Sequence, residues 1–91
     1  MFNAFSGIIK GRVQGVGFRY FAKNVAEELN LTGWVRNLPD GSVEVLAIGP
    51  ETALEQFMQR LRIGPLASRV QSTQFHPLQE PEAFERFEIR G

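Results

Sequence analysis

Ninety-one residues suffice for one domain around one modest core, and ten basic side chains balanced by ten acidic ones set up no field favouring nucleic acid or a membrane surface. The absence of cysteine removes disulfides, thiolate nucleophiles and zinc–thiolate sites together, and a single histidine leaves little for another metal site. The amino terminus, Met1-Phe2-Asn3-Ala4-Phe5, lacks the charged and apolar blocks of a signal peptide, and no apolar run reaches membrane-spanning length, so a soluble cytoplasmic protein is expected.

Residues 5–13 alternate as a strand: Phe5, Ile9 and Val13 share one face with Gly7 and Gly11, and Ser6, Lys10 and Arg12 take the other, with Ile8 an apolar exception there. A glycine-rich loop follows. Beyond it Phe18, Phe21, Ala22, Val25, Ala26 and Leu29 form a helical stripe, with Lys23, Asn24, Glu27 and Glu28 opposite. Thr32–Leu38 and Ser42–Ile48 read as two strands joined by Leu38-Pro39-Asp40-Gly41, a turn with proline second, aspartate third and glycine after it. Gly49-Pro50-Glu51 opens a second helix with Pro50 at its first position and Leu54, Phe57, Met58 and Leu61 as its buried stripe. Arg60 and Arg62 suit its last turn, and Gly64-Pro65 stops it.

Residues 67–75 are a weakly patterned fourth strand, residues 76–82 a proline-bearing loop, and residues 84–90 a last strand with Phe87 and Ile89 inward. The order strand, helix, hairpin, helix, strand predicts an α+β, ferredoxin-like βαββαβ sandwich. It would be one domain over residues 1–91, a mostly antiparallel sheet with both helices on one face.

The chemistry concentrates in Gly11-Arg12-Val13-Gln14-Gly15-Val16-Gly17-Phe18-Arg19. Such a loop can turn backbone N–H groups toward an anion, and a guanidinium adds a planar two-pronged grip on phosphate. Arg19 opens the predicted helix, where the macrodipole disfavours a cation by about 0.3–1 kcal/mol; a bound anion reverses that sign. The same spacing also fits a tight turn whose glycines only relieve strain. Lacking Gly-Lys followed by Ser or Thr, the run is no nucleotide P-loop, and its spacing misses the dinucleotide fingerprint.

Asn37, at the end of the second strand, could reach this loop from the side if that strand neighbours the first; from spacing alone it reads as a turn-stabilising asparagine. Trp34 and Arg36 read as sheet-face residues, Asp40 and Glu44 lack metal-ligand spacing, and His76 sits in a loop. No Ser–His pair or His/Asp cluster stands near the loop, so a covalent intermediate is not expected. An anion grip without a general acid can expel only a good leaving group. A carboxylate qualifies, with a conjugate-acid pKa of about 4, and an alkoxide does not. The chemistry points to a mixed carboxylic–phosphoric anhydride.

The run Gly11–Arg19 resembles the first signature of the acylphosphatases, and Gly33-Trp34-Val35-Arg36-Asn37-Leu38, continuing through Pro39-Asp40-Gly41-Ser42-Val43-Glu44-Val45, resembles the second. Weaker similarity runs through Gly64-Pro65 and Phe87-Glu88-Ile89, with no departure at a position the family uses for chemistry. The resemblance implies hydrolysis of acyl phosphates to carboxylate and inorganic phosphate, without metal or cofactor. By the same analogy Arg19 and the backbone of Gly15, Val16, Gly17, Phe18 and Arg19 hold the phosphoryl group, and Asn37 orients the attacking water. Inorganic phosphate or sulfate should occupy the same loop, and a monomer is expected.

Two other classes share the element order. An RNA-binding module would carry aromatics on its central strands, which Ser42–Ile48 lacks. A non-catalytic anion-binding or regulatory domain would fit too, since acylphosphatase-like domains also occur inside larger carbamoyl-transfer proteins. The short chain and the presence of both Arg19 and Asn37 favour a free-standing hydrolase.

Overall fold

A computed structural model describes residues 2–79 and 81–91. Its elements are β1 (Phe2–Arg12), α1 (Phe18–Glu28), β2 (Thr32–Asn37), β3 (Val43–Pro50), α2 (Glu51–Ile63), β4 (Arg69–Leu78) and β5 (Phe87–Arg90). They form one five-stranded sheet in the order β4-β1-β3-β2-β5, antiparallel throughout except where β5 runs parallel to β2. This is the expected ferredoxin-like α+β arrangement, with a short fifth strand added at one edge.

Both helical stripes face the same side of the sheet. Phe18, Ala22, Val25 and Ala26 of α1 are buried, as are Leu54, Phe57 and Leu61 of α2. The helices lie side by side, with Arg60 of α2 3.7 Å from Glu28 of α1. Strand pairing fits the helices to the sheet row by row. One helix-facing row reads Phe5, Ala47, Gly33, Phe87 across β1, β3, β2 and β5. Large residues flank two small ones, and the Phe57 ring packs between the flanks, 6.1 Å from Phe5 and 5.7 Å from Phe87 by ring centroids. The next row holds Gly7, Val45, Val35 and Ile89, and there Phe75 of β4 packs closely over Gly7.

Three expectations need correction. His76, Pro77 and Leu78 continue β4, opposite Ser6, Phe5 and Ala4, where a loop was expected. β4 is an edge strand, and an edge tolerates proline because only one side of its backbone must be paired. β5 begins at Phe87 and not at residue 84. Pro50 is the last residue of β3, with φ −62° and ψ 146°, so it precedes α2 rather than opening it. The hairpin turn forms as expected, the Gly41 N–H donating to the Leu38 carbonyl at 3.2 Å.

Candidate active site

The loop between β1 and α1 is held from below and open above. Val13 and Phe18 are buried, and Val16 packs against the core between them. Gly15 and Gly17 alternate with these anchors and are exposed. Their φ angles are 73° and 78°, the left-handed region that side-chain-bearing residues avoid, and a Cβ on either would meet nothing within 4 Å. Gln14 and Val16 keep negative φ, so the backbone alternates in sign, the geometry that turns successive N–H groups into one concavity.

That concavity merges with the start of α1. Gly17 takes the N-cap position without a side-chain cap, and the first turn contains no acid. The first helical hydrogen bond runs from Phe21 N–H to the Gly17 carbonyl at 3.0 Å. The N–H groups of Gly15, Val16, Gly17, Phe18, Arg19 and Tyr20 therefore find no acceptor among the described residues. Arg19, the second residue of α1, is half-buried and makes no ion pair among those residues. Donors, helix dipole and guanidinium all favour an anion at this end.

Asn37 arrives by a different route from the one the sequence suggested. β2 does not neighbour β1; β3 lies between them, and the last helix-facing row runs Ile9, Val43, Asn37. Since β1 and β2 both run antiparallel to β3, they end on the same side of the sheet, the side where the loop begins. Asn37 shares its face with Gly33 and Val35, a core-directed position unusual for an amide. Its Oδ1 is buried and is the one such side-chain oxygen without a hydrogen-bond partner among the described residues.

Gln14 joins the site without any chemical signal in the sequence. Its Nε2 donates to the carbonyls of Leu38 and Ser42, both at 2.8 Å, joining the loop to the hairpin that carries Asn37. No local pattern could have signalled it, because its partners lie 24 and 28 residues away. The turn itself is fastened by Asp40, whose Oδ1 accepts from the Ser42 N–H at 2.9 Å and from the Ser42 hydroxyl. Those bonds, the hydroxyl's first, hold the Asp40 carboxyl below the ordinary carboxylate range, with the Lys10 charge adding to them.

Other features do not join this site. Arg36 pairs with Glu44 at 2.6 Å, and Arg36 and Arg90 both lie over Trp34, so this aromatic is no free platform for stacking bases. A groove of about 730 Å³ opens between the start of β1, α2 and β4, near Leu54, Met58, Phe75 and His76. Glu51, Glu55 and Arg62 also line it, and neither Arg19 nor Asn37 does. No cluster of three or more His, Cys, Asp or Glu side chains that could hold a metal occurs among the described residues, and no helix there is long and apolar enough to cross a membrane.

Fold and site together define a small ferredoxin-like domain whose loop between first strand and first helix presents backbone N–H groups without acceptors among the described residues. Residues 5–89 match the acylphosphatase family model, and the chain belongs to the acylphosphatase family. It is 49% identical over 82 residues to the acylphosphatase of Syntrophotalea carbinolica, covering 90% of this chain and 89% of that one. The crystal structure of acylphosphatase from Bacillus subtilis superposes with a TM-score of 0.95 at 42% identity, over the whole of both chains. Full-length HypF, crystallised in a phosphate- and nucleotide-bound form, contains a similar unit: TM-score 0.89 at 30% identity, over all of this chain and 12% of that one.

Proposed function

We propose that this protein hydrolyses acyl phosphates by direct attack of water on phosphorus, with Arg19 and the Gly15–Arg19 backbone gripping the phosphoryl group. The observation that carries the reading is the run of N–H donors from Gly15 to Tyr20, beside Arg19, with neither an acceptor for those donors nor a carboxylate partner for the arginine among the described residues. A dianionic phosphoryl group satisfies both at once, and charge developing on its oxygens during transfer meets donors already in place. Membership of the acylphosphatase family supports the same substrate class.

Asn37 orients the water. Its amide carries both an acceptor and donors, and it occupies the loop end of the last core-facing row. The oxygen of the water bonds to phosphorus as the bond from phosphorus to the acyl oxygen breaks. The electron pair of that bond leaves on a carboxylate, which needs no protonation to depart. The proton of the water passes to a phosphoryl oxygen, since none of the residues assigned to the site is a carboxylate or histidine. The products are a carboxylate and inorganic phosphate.

The test is hydrolysis of benzoyl phosphate by purified protein in EDTA, with Arg19→Gln and Asn37→Ala alongside. Arg19→Gln is expected to lose both turnover and inhibition by inorganic phosphate, because a neutral amide cannot make the charge-assisted fork. Asn37→Ala should keep phosphate inhibition and lose turnover by roughly 10²-fold or more. No turnover from well-folded wild type would overturn the reading and leave an anion-binding domain. Equal phosphate binding by Arg19→Gln would remove that residue from its role.

A further inference from the structure

We infer that Gln14 is a positioning residue that fixes the distance between the phosphate-binding loop and Asn37. The inference rests on the proposed acyl phosphate hydrolysis. It concerns how two halves of that site, carried by segments far apart in sequence, are held together.

The loop half belongs to the β1–α1 connection and the Asn37 half to the β2–β3 hairpin. Because β3 separates β1 from β2, no strand-to-strand hydrogen bond ties the end of β1 to Asn37. The Gln14 amide supplies a direct tie. Its Nε2 has two protons, and each goes to a different carbonyl, Leu38 and Ser42, at 2.8 Å. These two residues are the neck of the hairpin, where the Leu38 N–H donates to the Ser42 carbonyl at 2.9 Å. The amide therefore straddles the closing pair of the turn. At one end it is covalently joined to Gly15, the first residue of the concavity; at the other it bonds Leu38, the residue after Asn37.

The clamp is also separable from folding of the hairpin. Each carbonyl that Gln14 caps already accepts a backbone N–H: Leu38 from Gly41 at 3.2 Å, Ser42 from Leu38. Losing Gln14 removes the second bond to each oxygen and orphans neither. Gln14 itself is half-buried, so its replacement leaves no large cavity. The change falls on the relation between the two halves, where a displacement near 1 Å costs roughly 10²-fold in rate.

The experiment compares Gln14→Met, which keeps side-chain length without donors, with Gln14→Glu, which sets a carboxylate against the two carbonyls. For Gln14→Met, kcat with benzoyl phosphate should fall roughly 10-fold or more, while the inhibition constant for inorganic phosphate stays within about 3-fold. Gln14→Glu should lose more turnover. In an Asn37→Ala background Gln14→Met should add less than about 3-fold, because there is no longer an amide to misplace. A parallel loss of phosphate inhibition, or a full additive loss on Asn37→Ala, would overturn the clamp and leave Gln14 as loop packing. The Asn37 side-chain amide resonances in a ¹H–¹⁵N spectrum should shift in Gln14→Met whether or not turnover is detected. Unmoved resonances would overturn the clamp, whereas absent wild-type turnover would overturn the function on which it rests.

Discussion

Gly15 and Gly17 are the residues at which an anion-binding loop and a strain-relieving turn make different predictions. At φ near 75° an L-residue is strained by about 1–2 kcal/mol, yet nothing lies within 4 Å of a Cβ at either position. Strain and space thus make separate predictions. Gly17→Ala should lower unfolding free energy by about 1 kcal/mol in chemical denaturation and remain folded. It should also weaken phosphate inhibition, because relaxing the dihedral rotates N–H groups out of the concavity. A variant with the stability loss but wild-type phosphate inhibition would make the glycines strain relief alone. The glycines and Arg19 stand out in the sequence as a candidate anion grip, whereas Asn37 is singled out only by the resemblance to the second acylphosphatase signature, its spacing alone fitting a turn residue. What a linear reading could not supply was the buried, unpartnered Oδ1 of Asn37 or the reach of Gln14.

Among the elements, the β2–β3 hairpin matters most, since it carries Asn37 and receives Gln14. Its turn was legible from Pro39-Asp40-Gly41 alone, because those residue types set their own dihedrals and local hydrogen bonds. The bonds from Ser42 depress the Asp40 pKa in the folded state. A carboxylate with a depressed folded pKa contributes stability above its unfolded pKa and loses it as pH falls through the folded one. Asp40→Ala should therefore melt below wild type at pH 7, and the gap should close as pH drops below the ordinary carboxylate range. A gap independent of pH would show that the ionised form is not what fastens the turn. β4 was harder to read for the opposite reason. Its residues face a neighbour on one edge only, so Ser72, Thr73, Gln74 and His76 stand where an interior strand would alternate cleanly. The placing of β3 between β1 and β2 belongs to the expected ferredoxin-like order, yet nothing local to β2 marks it, so the approach of Asn37 to the loop could not be read from its own segment.

For the molecule as a whole, the question is whether the core and the chemistry fail together. The Phe57 ring sits over the row Phe5, Ala47, Gly33, Phe87, and Phe5 lies seven residues before the end of β1, about 23 Å along the strand from the loop. Phe57→Ala removes the ring that fills the notch over Ala47 and Gly33, at an expected cost of about 3–5 kcal/mol. A domain of this size has only about 5–14 kcal/mol in total, so the variant should unfold at markedly lower denaturant and temperature. The loop, however, is anchored by Val13, Val16 and Phe18 and tied to the hairpin by Gln14, none of which belongs to the Phe57 stack. The folded fraction should keep its kcat for benzoyl phosphate within about twofold at low temperature, where it still predominates. Loss of kcat in step with stability would mean that the far end of the sheet sets the geometry of the loop, and that the Gln14 tie is too weak to hold the site alone.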